Sequence, residues 1–183
     1  MKPERGTTMS DSTSTRWSRT VKRLIPSMCV AMAVALASAR LGAQDQCRKV
    51  NGHFVMRAAA PTSCPSPVGL CIEGEFSGGI RGPFTVTATS FIVTADTPNT
   101  AVVLFTGDGV VRGRIGDKRG DLFLKTSGAY LTVGKGEIVD LQFVNGGTGA
   151  LTGASGSLRA SGAFDPATGT GEAEYAGVIC SLM

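Results

Sequence analysis

Between Cys47 and Cys180 apolar and polar side chains alternate in short runs, and glycine-rich breaks separate the runs. That pattern predicts an all-β domain. Strands are expected over 48–57, 69–77, 83–94, 100–106, 109–115, 121–126, 129–133, 137–145, 155–165 and 170–180. Some of these join across a bend, which leaves about eight or nine. No window holds a 3.6-residue apolar period, so long helices are not expected. The Pro-rich segment 58–67 reads as a loop. Many alternating strands without helices to cover them must bury one face against each other, in a barrel or a sandwich.

Period-two alternation sorts side chains onto faces. Leu70, Ile72 and Phe76 share a face opposite Glu73 and Glu75. Val139, Leu141 and Phe143 share one opposite Asp140 and Gln142. Leu158, Ala160 and Phe164 oppose Arg159 and Ser161, and Tyr175 and Ile179 oppose Glu172 and Glu174. The apolar set of each strand is the expected core. Two stretches, Phe91-Ile92-Val93 and Val102-Val103-Leu104-Phe105, are apolar on both faces, and Phe123 falls opposite Leu122 and Leu124. Scattered apolar surface residues are ordinary, but contiguous patches mark contacts. A homo-oligomer is therefore expected, buried through Phe91, Val93, Val103, Phe105 and Phe123.

The N-terminus changes the picture of where the domain works. Residues 1–23 carry Lys2, Arg5, Arg16, Arg19, Lys22 and Arg23 against Glu4 and Asp11, and an uncharged stretch runs from Leu24 to Ala39. That stretch is shorter than the roughly 20 apolar residues of a membrane span. Ala37-Ser38-Ala39 fits a signal-peptidase site, and Leu41-Gly42-Ala43 is a second one. The expectation is a signal peptide over 1–39, cleavage after Ala39 or Ala43, and a mature domain over 44–183. It would be secreted or periplasmic, with no stable membrane anchor after cleavage. Met9 is an alternative start that shortens the basic leader.

Charge follows the leader. The chain has 18 Lys and Arg against 14 Asp and Glu, a net +4. Residues 1–43 carry seven of the basic and two of the acidic side chains, so 44–183 keeps eleven basic against twelve acidic. Nucleic-acid binding needs a retained basic face, so no nucleic-acid partner is expected. Of five cysteines, Cys29 lies in the leader, and Cys47, Cys64, Cys71 and Cys180 remain. An even count in an exported domain argues for disulfides. A zinc site would want paired C-x₂-C spacing, which the chain lacks.

Residues 143–180 are the most specific part. Gly146-Gly147-Thr148-Gly149, Gly153-Ala154-Ser155-Gly156, a strand, Asp165-Pro166, Gly169 and a final strand ending near Cys180 follow one another. This stretch resembles secreted bacterial proteins grouped as allene oxide cyclase barrel-like, relatives of the plant allene oxide cyclases and the dirigent proteins. The resemblance covers about 40 residues and implies an eight-stranded antiparallel barrel and a trimer. It carries no catalytic residue over to this chain. If the sheet closes into a barrel, its first and last strands meet, which pairs Cys47 with Cys180 and leaves Cys64 for Cys71. Read physically, the glycines supply positive φ and close backbone approach. Asp165-Pro166-Ala167-Thr168-Gly169 is a hairpin turn. GGTGALTG fits no phosphate-loop spacing and precedes a strand.

Known catalytic constellations are missing. His53 is the one His, placed at a strand surface rather than beside a nucleophile. No G-x-S-x-G elbow exists. No clustered His, Cys or carboxylate set suggests a metal, and neither a cofactor nor a catalytic residue is assigned. Glu73/Glu75 and Glu172/Glu174 read as outer-face carboxylates, with Arg112 and Arg114 as cross-strand partners for them. Three functions remain: a barrel that binds a small apolar ligand, an isomerase- or cyclase-like catalyst, and a structural barrel with a filled core. Small barrels can be filled or hold one ligand, and fold alone does not decide. The lumen does: dry and empty favours binding, empty with convergent polar groups favours catalysis, filled favours structure. Ile72, Phe76, Val139, Leu141, Phe143 and Tyr175 are the expected lumen residues, and the mid-sized core tilts the reading to ligand binding.

Overall fold

The computed structural model describes residues 47–94 and 101–180. The expected leader, its cleavage sites and Cys29 lie outside the described residues. Eight strands close an antiparallel barrel in chain order: β1 (Arg48–Ala58), β2 (Cys71–Gly78), β3 (Ile80–Val93), β4 (Val102–Ile115), β5 (Lys118–Leu131), β6 (Glu137–Gly147), β7 (Ser155–Asp165) and β8 (Thr170–Cys180). β1 pairs with β8 from Arg48↔Ile179 to Arg57↔Thr170, so every strand has two neighbours and no open edge remains. Closure brings the ends of the domain together, and Cys47 is bonded to Cys180 while Cys64 is bonded to Cys71. By chain entropy the first bridge, spanning 133 residues, contributes about 4–5 kcal/mol and the second about half that.

Two pairs of expected strands are single strands. β4 runs straight through Gly107-Asp108-Gly109, and β5 runs through Gly128. These glycines are not turns. A Cβ on Gly128 would stand 2.6 Å from Phe105 Cζ, and one on Gly107 would stand 3.0 Å from Val86 Cγ1. Their missing side chains make room inside the barrel for neighbouring rings and branches.

The barrel has a filled half and a hollow half. At the end bearing the β2–β3, β4–β5 and β6–β7 connections, Phe76, Ile80, Val111, Ile115, Leu122, Leu151, Leu158 and Ile179 are fully buried. The glycine motif serves this end. Asp121 N–H donates to Thr148 Oγ1 and Thr148 N–H to Asp121 O, both at 2.9 Å. Gly149, at φ +58, opens a single 3₁₀ turn that drops Leu151 into the core. Phe54, Phe76, Phe84 and Tyr175 then form an aromatic floor, with centroids 4.9 Å (Phe54–Phe76) and 5.1 Å (Phe76–Tyr175) apart. The turn at Asp165–Gly169 is as expected: Ala167 N–H bonds Asp165 Oδ1, and Gly169 takes φ +66.

Two expected faces are reversed. On β6 the inward set is Ile138, Asp140, Gln142 and Val144, whereas Val139, Leu141 and Phe143 point outward at 47%, 46% and 50% exposure. Alternation separates two faces but does not say which is inside; pairing does. Leu124 faces Val144 at the filled end, and the same register brings Thr126 against Gln142 and Gly128 against Asp140. Parity carried up from Val144 therefore turns the polar set inward. On β3 the register shifts between Ala88 and Ser90, which inserts one residue and changes parity. Phe91 turns inward as a result and Ile92 outward. Its partner Phe105 faces inward too, and Val103 is buried. These three cannot form the expected outer contact, while Val93 and Phe123 remain exposed.

Candidate functional site in the hollow half of the barrel

The other half of the lumen contains a cavity of about 80 Å³. Phe54, Met56, Ile72, Phe84, Val86 and Ala88 line its lower wall. Above them Phe91, Phe105 and Phe164 gather around Tyr130 with ring centroids 6.0–6.4 Å away, forming an aromatic collar. The collar sits at the barrel end that carries the β1–β2 loop with its Cys64–Cys71 bridge.

Into this apolar wall project Thr126, Asp140 and Gln142, the buried polar side chains among the described residues. They make one network. The Thr126 hydroxyl donates to Asp140 Oδ1, and Gln142 Nε2 donates to Asp140 Oδ2 at 2.8 Å. The other end of the amide, Gln142 Oε1, is buried without a protein partner. Burial pushes the Asp140 carboxyl above the usual carboxylate range, and the bonds from Thr126, Gln142 and the Ser127 backbone pull it part of the way back. Burial likewise raises the Tyr130 phenol. A carboxyl whose pKa is raised by burial in an apolar cavity can exchange a proton more readily than an ordinary surface carboxylate, and it can orient a ligand's polar group.

Of the expected lumen residues, Ile72 lines the cavity, while Phe76 and Tyr175 pack together in the aromatic floor beneath it and do not line it. Val139, Leu141 and Phe143 are outside. The residues the alternation missed are Thr126, Asp140, Gln142 and Tyr130. A signal for two of them exists: Ile138 and Val144 share the parity of Asp140 and Gln142, so that face is apolar at both ends. His53 lies on the outer surface, with the Ser77 hydroxyl 3.0 Å from its Nε2. Glu73 pairs with Arg57 at 2.7 Å rather than with Arg112 or Arg114, an exposed pair worth about 0–1 kcal/mol. Among the described residues no three His, Cys, Asp or Glu side chains gather as metal ligands would.

Comparison with known proteins finds neighbours only among solved structures. The chain is similar to two pterocarpan synthase dirigent proteins. To GePTS1 it is 14% identical over 76% of this chain and 91% of that one, with a TM-score of 0.34. To PsPTS1 it is 13% identical over 76% and 99%, with a TM-score of 0.33. No protein-family model and no curated protein matches. The eight-stranded barrel itself rests on this chain's own strand pairing.

Proposed function

We propose that the domain binds a small, largely apolar molecule in the hollow half of its barrel, with the ligand's polar group held against Asp140 and Gln142. The observation that carries this is the buried polar trio of Thr126, Asp140 and Gln142 set in a mostly apolar cavity, the usual make-up of a small-molecule site. The size of the cavity narrows the ligand. Drug-sized pockets run to roughly 300–1,000 Å³, so about 80 Å³ suits the polar end of a single-ring molecule, with the rest of its ring between the collar aromatics. The test is a titration with single-ring alcohols and phenols, followed by methyl NMR shifts of Met56 and Ile72. Saturable shifts at one site per chain are expected, and Ala88→Phe, which fills the cavity, should abolish them. A wild-type protein that answers to none of these ligands refutes the reading and leaves a structural barrel.

By the lumen criterion the convergent polar groups also favour the isomerase- or cyclase-like reading, which requires the same binding step and uses the same carboxyl. An acid raised by burial and set beside a hydrogen-bonded partner is suited to proton transfer in an isomerisation or cyclisation. It predicts turnover that Asp140→Asn removes while binding persists. The two disulfides fit an oxidising compartment, and we propose that the domain is exported after cleavage near Ala39 or Ala43. We also propose that it self-associates, as a trimer, through the outer face that carries Ile92, Leu104, Phe123, Val139, Leu141 and Phe143. Ile92, Leu104, Ala129 and Val139 lie in one cross-strand row on that face.

A further inference from the structure

Among the described residues, the Gln142 amide carries the buried side-chain polar atom that finds no hydrogen-bond partner. Its N–H₂ end is committed to Asp140 Oδ2 at 2.8 Å. A carboxylate is an acceptor only, so it dictates which end of the amide faces it. Asp140 takes a second donor, the Thr126 hydroxyl, on its other oxygen. The carbonyl end, Gln142 Oε1, is left buried without a partner among the described residues, in a residue only 5% exposed that lines the cavity. The remaining wall is rings and aliphatic groups apart from two hydroxyls, those of Thr106 and Tyr130; Thr106 is engaged with Thr89 and Ser90, and neither hydroxyl donates to Gln142 Oε1.

A buried acceptor without a donor costs free energy, and a ligand that brings the donor removes that cost. We propose that Gln142 sets the chemical class of the ligand: the lumen takes a molecule with an O–H or N–H group that donates to Gln142 Oε1, a phenol or small alcohol in preference to the ether or hydrocarbon of the same shape. This rests on the lumen being a binding site and names what it selects.

The same geometry makes the selection depend on the state of Asp140. Once protonated, the carboxyl becomes a donor. The amide can then turn over, accept that proton through Oε1 and present its N–H₂ to the lumen. The groups around Asp140 leave it alone to control this. On β5, Thr126, Gly128 and Tyr130 face it, and Ala160 stands opposite on β7. The rest of the wall carries no charge; it is apolar apart from the Thr106 hydroxyl. Tyr130 is the other titratable group, and burial keeps its phenol neutral across the range in which carboxyls titrate.

Phenol and anisole form the decisive pair, since both carry a ring and an oxygen but only phenol donates. Their dissociation constants are read by NMR titration of the wild type in mildly alkaline buffer. Phenol should bind roughly tenfold to a hundredfold more tightly. In Gln142→Leu and Gln142→Met the two should bind within about threefold of each other, with anisole no weaker than in the wild type, because an apolar side chain needs no donor. Should both variants fail to fold, the wild type alone still decides, because acidification through the Asp140 titration must shrink the phenol preference. Equal binding of phenol and anisole by the wild type overturns the inference while leaving the lumen as a binding site. A preference that survives both folded variants, or one that acid does not change, also overturns it, because the donor would then be met elsewhere. Binding of neither molecule overturns the binding reading and this inference together.

Discussion

Tyr175 on β8 and Ile80 on β3 are joined through the interior of the barrel, although β1 and β2 lie between their strands. The Ile80 N–H donates to Tyr175 Oη at 2.8 Å, and the hydroxyl donates to the Ser77 carbonyl at 3.1 Å. The phenol thus clasps the β2–β3 turn, and burial raises its pKa despite the Ile80 and Gly79 backbone bonds and the nearby Arg81. Tyr175→Phe keeps the ring packing and strands the Ile80 N–H, which should cost about 1–3 kcal/mol in urea unfolding. Ligand titrations should not change, since Tyr175 does not line the cavity. A variant as stable as wild type would show that the clasp contributes nothing.

Asp140 makes the domain's stability depend on pH. Its carboxyl has a higher pKa folded than unfolded, because burial disfavours the charged form. Between those two values the folded state binds more protons than the unfolded state. The contribution of Asp140 is therefore greatest below the unfolded carboxylate pKa of about 3.9, and it is lost as pH rises through the folded value. Asp140→Asn carries no charge to desolvate. The melting temperature of wild type relative to this variant should fall as pH is raised from acid to neutral and then level off. A difference that rises with pH over that range would mean that the hydrogen bonds from Thr126 and Gln142 outweigh burial.

Glycines of the 146–149 motif hold backbone positions that a side chain would disturb. Gly149 sits at φ +58, and a Cβ on Gly147 would stand 2.5 Å from the carbonyls of both Asp121 and Leu151. Gly149→Val should cost about 1–3 kcal/mol through the left-handed conformation alone. Leu151 would be displaced from the filled end, and thermal melting would report the loss. If Gly149→Val instead abolished ligand binding at an unchanged melting temperature, the motif would be part of a site.

Self-association should follow the outer face rather than the inward rings. Leu141→Glu places a charge among exposed apolar side chains and should yield a folded monomer by light scattering. Phe105→Glu puts its charge beside the cavity, where desolvation makes it destabilising instead. A wild-type domain that scatters as a monomer at tens of micromolar would end the oligomer proposal.

Alternation, glycine punctuation and cysteine count were enough to determine the all-β class, the turns at Gly78, Gly116 and Asp165–Gly169, and the faces of β2, β7 and β8. Alternation left barrel and sandwich open; the barrel was implied by the resemblance of residues 143–180, and the pairing of Cys47 with Cys180 followed only if the sheet closed, as it does. The class, the turns and the faces depend on local φ/ψ preference and on period two, which each segment carries by itself. The direction of β6, the continuity of β4 and β5 through their glycines, and the inward turn of Phe91 depend on partners elsewhere in the chain. Whether Asp140 or Val139 faces the lumen is settled by Leu124 pairing with Val144, and whether Phe91 or Ile92 does is settled by one extra residue after Ala88. The tertiary structure thus decided the candidate site: hydrogen bonds with each other and with Thr126 of β5 let Asp140 and Gln142 occupy the inward place on β6 that hydrophobicity alone would assign to Val139, Leu141 and Phe143.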